Sequence, residues 1–178
     1  MITVLQASAP LADPHDCTDG KAALSLLRAF YDTLVSVAGA SVRPGLAQAW
    51  TVSDDARSWR FRLREGGLFH DGTEVTAEAA AASVRRMARA DRGVTLGASG
   101  VWRQYLGGAE IRAEGARALA IDLAEPVADL PDILGQGFIA APSMLARLDA
   151  GEGAAPCGSG PYRFEEAGPE GVTARAVE

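Results

Sequence analysis

The side chains able to do covalent chemistry fall in a few places. His15-Asp16-Cys17 sets an imidazole, a carboxylate and a thiol in a row. A thiol nucleophile needs a base beside it in space, and adjacent loop residues rarely give that geometry. The triplet is therefore read as loop polarity. His70-Asp71 is a second imidazole and carboxylate pair, but Asp71-Gly72 is ordinary turn chemistry. No serine or further carboxylate is placed beside it by motif. With two histidines in the chain, a multi-histidine metal site is excluded. Gly158-x-Gly160 would suit a phosphate only if a helix followed, with its amides aimed at the anion. Pro161 and the alternating Tyr162 and Phe164 predict a strand instead. The glycines are then expected to let two backbone segments pass closely. No catalytic residue, metal ligand or cofactor is assigned, and the chain is read as not an enzyme. A hydrolase using His15 or Cys17 is the rival reading.

Cys17 and Cys157 fit neither a zinc ribbon nor a Cys-x-x-Cys redox motif. A bridge between them would close a long loop and stabilise by roughly 4–5 kcal/mol on the chain-entropy model. Two free thiols are the alternative. Trp102 and Tyr105 offer flat apolar area of the kind that lines ligand sites. Simple packing is the competing use of the same residues.

These candidates sit on a chain of 178 residues, enough for one ordinary domain. Hydrophobic residues make up 48%, yet no apolar run approaches the ~20 residues that span a bilayer. No charged-then-apolar leader is visible; a mature chain with an initiating Met would look the same. The net charge of −6 gives no general attraction for phosphate backbones. Arg85-Arg86 is the only adjacent basic pair, so the arginines read as solvated surface and nucleic acid is not a partner.

The elements that must position these residues are legible from periodicity. Ile2 to Ala7 reads as a first strand, broken by Pro10 and Pro14. Leu24, Leu27, Tyr31 and Leu34 repeat at three and four and predict a helix, capped by Asp19 and stopped by Gly39. Ala47 to Val52 is a strand, and Ser53 to Ala56 a turn. Trp59, Phe61 and Leu63 then alternate with Arg60, Arg62 and Arg64, giving a hairpin with one packed and one wet face. Leu68-Phe69 is expected to re-enter the core. Thr76 is a helix cap, Glu78 suits the first turn, and Ala80, Val84 and Met87 share one face. Arg89 to Gly100 reads as a loop. Ala109 to Ala113 and Ala118 to Leu123 form a second hairpin. Short helices follow at Val127 to Leu134 and from Pro142 through Leu148, with Phe138 in a brief extended segment between them. Val172 to Val177 is a last strand.

The order of these motifs resembles the family 5 extracellular solute-binding proteins, the peptide- and nickel-binding subunits of ABC importers. The resemblance rests on Pro44-Gly45-Leu46-Ala47, Trp50-Thr51-Val52-Ser53-Asp54-Asp55, Phe61-Arg62-Leu63-Arg64-Glu65-Gly66, Phe69-His70-Asp71-Gly72-Thr73 and Thr76-Ala77-Glu78. Gly158-Ser159-Gly160-Pro161-Tyr162 matches a family motif with Ser159 in place of Thr. Leu11 to His15 matches more loosely, with Ala12 as an extra residue.

The resemblance implies an α/β, α+β-like fold. It is a fragment of a lobe of the type II periplasmic-binding-protein kind, with mixed or antiparallel sheet and packed helices. Residues 1–178 would be part of lobe I, a first strand plus an inserted subdomain returning at the Gly-Ser-Gly-Pro-Tyr motif, without the second lobe. The implied function is capture of a small solute, a peptide or nickel chelate, for an ABC permease. The implied place is periplasmic or extracellular, with membrane contact only through the permease or a missing anchor. A sensory module sharing the fold is the alternative. Ala7, Ser8, Ala9, Trp102, Tyr105 and Phe138 lie in segments that approach the ligand in such proteins.

Overall fold

We analysed a computed structural model of the chain; it describes residues 11, 13–16, 20–93, 100–168 and 171–177. The expected first strand (Ile2 to Ala7), the candidate residues Ala7, Ser8 and Ala9 at and after its end, the Asp19 cap and Cys17 lie outside them. Helix α1 (Lys21–Phe30) leads into a ribbon of β1 (Val35–Ala38) and β2 (Ser41–Pro44). Strands β3 (Ala47–Val52) and β4 (Ser58–Leu63) form the expected hairpin, followed by α2 (Ala77–Met87) and α3 (Val101–Leu106). The second hairpin is β5 (Glu110–Ala113) and β6 (Ala118–Asp122). Short helices α4 (Leu130–Leu134) and α5 (Pro142–Asp149) precede a closing ribbon of β7 (Tyr162–Gly168) and β8 (Gly171–Ala176).

The two central hairpins join into one antiparallel sheet in the order β3-β4-β6-β5. Its register places Trp59 opposite Ile121 and Phe61 opposite Leu119, and Ile111 opposite Ile121. All five side chains are buried, so the period-two pattern does set the inner face. The Trp59 and Phe61 rings stack at 6.1 Å between centroids. On the outer face Arg60 pairs with Asp122 at 2.8 Å and Glu114 at 3.1 Å. Helix α2 covers the inner face. Thr76 caps it, accepting from the Ala79 amide at 3.2 Å, and Ala80, Val84 and Met87 are fully buried. Its small alanines let it sit close to the sheet, and Ser83 and Arg86 are buried with them.

Two expectations are corrected. The first helix ends at Phe30, not beyond Leu34, and Val35–Ala38 is a strand. Tyr31 turns extended because the neighbouring main chain takes its carbonyls: Gly160 donates to Phe30 O at 3.0 Å and Ile139 to Asp32 O at 2.9 Å. β-branched Thr33, Val35 and Val37 then fit the extended ribbon. Phe69 is buried as expected, but Leu68 is exposed on the surface of its turn.

Candidate functional site

Loop 13–16 is where the chain concentrates its buried charge. Arg86 projects from α2 with its side chain 4% exposed. Its fork grips Asp13 at both oxygens, 2.6 and 2.9 Å away. Its Nε donates to Asp149 at 2.9 Å, and its Nη1 lies 3.0 Å from His15 Nδ1. Arg92 adds bonds to Asp13 and Asp16 at 3.2 and 3.1 Å. Trp102 on α3 closes the far side, its indole donating to His15 O at 3.2 Å. A planar guanidinium suits this task, because its fixed donors match carboxylate geometry.

The His15 ring is fully buried, and its neighbours fix its proton. Guanidinium only donates, so Nδ1 accepts; Nε2 carries the hydrogen and donates to Phe138 O at 3.0 Å. Burial, opposed by Asp13 and reinforced by Arg86, pushes its pKa down to about 4. Burial would raise the Asp13 pKa, but the bonds from Arg86 and the His15 amide hold it below the ordinary value. His15 is therefore not the loop polarity expected of it. It is a neutral ring inside a network of compensated charges.

A second junction brings residues 158–160 against Phe30 and Tyr31. Gly158 and Gly160 press on the backbone of Phe30 and Tyr31. A Cβ on Gly160 would lie 2.6 Å from Phe30 C, so the glycines do allow two main-chain segments to pass, as their strand context predicts. The His70 amide donates to Gly158 O at 2.7 Å, and its Nε2 bonds Gly160 O at 2.9 Å. Asp32 takes bonds from Ser159 and Arg64, each at 3.2 Å; burial, against the Arg64 charge, raises its pKa. Beside this junction is a cavity of about 340 Å³ lined by His70, Asp71, Ser143, Arg147, Cys157 and Phe164 among others. Asp71 is held by Thr73 and Ser143. Cys157 is half-buried, and burial together with the Asp71 carboxylate raises the pKa of its thiol.

The named ligand candidates separate. Trp102 and Phe138 are buried in the core, and the Phe138 ring lies 5.9 Å from that of Tyr31. Tyr105 is half-buried and has surface to offer. Ala7, Ser8, Ala9 and Cys17 lie outside the described residues, so the Cys17–Cys157 bridge does too. What sequence reasoning missed is the cluster of Arg86, Asp13, Asp149 and Arg92, since charged residues are ordinarily read as solvated. One signal was present: Arg86 lies beside Met87 and three residues after Ser83, on an alanine-rich helix.

Antiparallel sheet with packed helices and internally paired charges describe the body of the protein. Residues 41–178 match the family described as bacterial extracellular solute-binding proteins, family 5 Middle. The chain belongs to that family. It is 35% identical over 158 residues to the probable peptide ABC transporter periplasmic-binding protein y4tO of Sinorhizobium fredii, covering 85% of this chain and 28% of that protein. It is 28% identical to the glutathione-binding protein GsiB of Salmonella typhi, covering 86% of this chain and 29% of the relative. The structure of the ABC transporter substrate-binding protein CtaP from Listeria monocytogenes superimposes with a TM-score of 0.80 at 18% identity. That superposition covers 97% of this chain and 36% of CtaP, and it shows the shared fold. The chain thus spans under a third of the length of the curated relatives it matches.

Proposed function

We propose that these residues form part of the first lobe of a substrate-binding protein that captures a peptide-like solute outside the cytoplasmic membrane and delivers it to an ABC permease. The observation that carries the reading is the family match over residues 41–178, which takes in both the four-stranded body and the return strand. The peptide class is supported by the names of two relatives, one a probable peptide transporter component and one glutathione-binding. A nickel chelate is the other cargo, which the structure of NikZ with Ni(L-His) illustrates for a protein of this fold.

In this reading the chain leaves the lobe at Phe30–Asp32 and returns at Gly158–Gly160, and residues between them are an inserted subdomain. The close crossing of those two segments supports it. Ligand capture is a closure of two lobes about a hinge, with no bond made or broken. Residues 7–9 and the exposed part of Tyr105 are the proposed ligand-facing pieces here, while Trp102 and Phe138 serve by fixing the loop that follows residues 7–9.

A hybrid tests this. The residues of the Sinorhizobium fredii relative that align with this chain are replaced by it, and peptide binding is followed by calorimetry. The hybrid is expected to bind di- and tripeptides with micromolar affinity, and the 178-residue chain alone to bind them only weakly. A folded hybrid that binds no peptide overturns the function. Micromolar binding by the 178-residue chain alone overturns the partial-lobe assignment.

A further inference from the structure

We propose that His15 makes loop 13–16 an acid-released latch, closed on the body of the protein while the ring is neutral and opened when it takes a second proton. Both ring nitrogens are already committed in the closed state. Nδ1 accepts from Arg86 at 3.0 Å and Nε2 donates to Phe138 O at 3.0 Å. A second proton can go only on Nδ1, where it meets a guanidinium N–H across the same gap. The ring has no solvent to turn to, being fully buried.

The charged groups around it come from every side. Asp13 and Asp16 stand on its own loop, Arg86 on α2, Arg92 just after α2, and Asp149 at the end of α5. Asp13 favours the imidazolium, while burial and the two arginines oppose it, and the opposition wins. Among the described residues the bonds that tie the loop to the body include His15 to Phe138 O, Trp102 to His15 O, Arg86 to Asp13, Arg92 to Asp13 and Asp16, and the Gly93 amide to Asp16. The sheet and α2 are held by main-chain ladders and an apolar core that the loop does not complete. Opening is therefore local to the loop and leaves Trp102 and Leu106 of α3 in the core.

The sign follows from linkage. The closed ring has its pKa near 4 and a released ring near the ordinary 6.5, so acid favours the released state. Between pH 7 and pH 5 the open population rises roughly twentyfold on these two values. Hydrogen exchange of the 178-residue chain, corrected for intrinsic rates, reads this directly. The amides of His15 and Asp16, which bond Asp13 in the closed loop, are expected to lose about that factor of protection from pH 7 to pH 5, with β4 and β6 unchanged. In H15Q the pH dependence is expected to vanish. Proton NMR of the two imidazoles is a second measure that needs no variant: His15 is expected not to titrate above pH 5.5 or so in the closed state. Loop protection constant within twofold, the same pH response in H15Q, or loop and sheet opening together would each overturn the latch.

Discussion

Replacing Arg86 by methionine keeps an unbranched, helix-compatible side chain and removes the guanidinium. The native group makes two bonds to Asp13, one to Asp149 and one to His15, all between 2.6 and 3.0 Å. Its loss leaves Asp13, with a side chain 13% exposed, relying on Arg92 at 3.2 Å and the His15 amide at 3.0 Å. Bonds to charged groups contribute about 1.5–3 kcal/mol each, and Arg92 retains part of the compensation. Breaking a buried pair by deleting one partner costs about 3–5 kcal/mol, and that is the loss expected for R86M. It is a large share of the ~5–15 kcal/mol of an ordinary domain. Urea unfolding followed by circular dichroism at pH 7 measures it. In D13N/R86M the stranded carboxylate is gone, so the double variant should lose less than the two singles together, by about 0.5–3 kcal/mol. Because Arg86 holds the Asp13 pKa below 3.8, the Asp13 contribution is complete above that pH and is lost as pH falls through the folded value. An R86M variant within about 1 kcal/mol of the parent, the worth of an exposed pair, would refute the buried-network argument.

Three further substitutions probe the other elements. G160A places a methyl 2.6–2.8 Å from the backbone of Ala29, Phe30 and Tyr31, and should cost about 1–3 kcal/mol; an unchanged thermal midpoint would mean the two segments do not cross as described. On β4, F61A should cost about 3–5 kcal/mol while R62A, on the wet face, stays within about 0.5 kcal/mol; equal losses in denaturant would reverse the assignment of faces. T76A removes the cap of α2 and should cost about 1 kcal/mol, read as a shift of the urea midpoint without a change in slope.

The sequence by itself determined what depends on short-range order. Alternation of Trp59, Phe61 and Leu63 with arginines chose the buried face of the central sheet, because side chains on a strand alternate sides. Thr76 started α2, and the pairing of strands within both hairpins followed from turns between alternating runs. The Gly158 and Gly160 spacing before a strand was enough to predict a close backbone passage. Tertiary structure decided the rest. Helix α1 stops at Phe30 because Gly160 and Ile139, distant in sequence, claim the carbonyls beyond it. His15 and Arg86 lie far apart in sequence, and nothing in their local context says that one shields the other from water. A charge is tolerated inside a protein only where its partners converge. Convergence of Asp13, His15 and Asp149 on a single guanidinium is a property of the folded chain, not of any window along it.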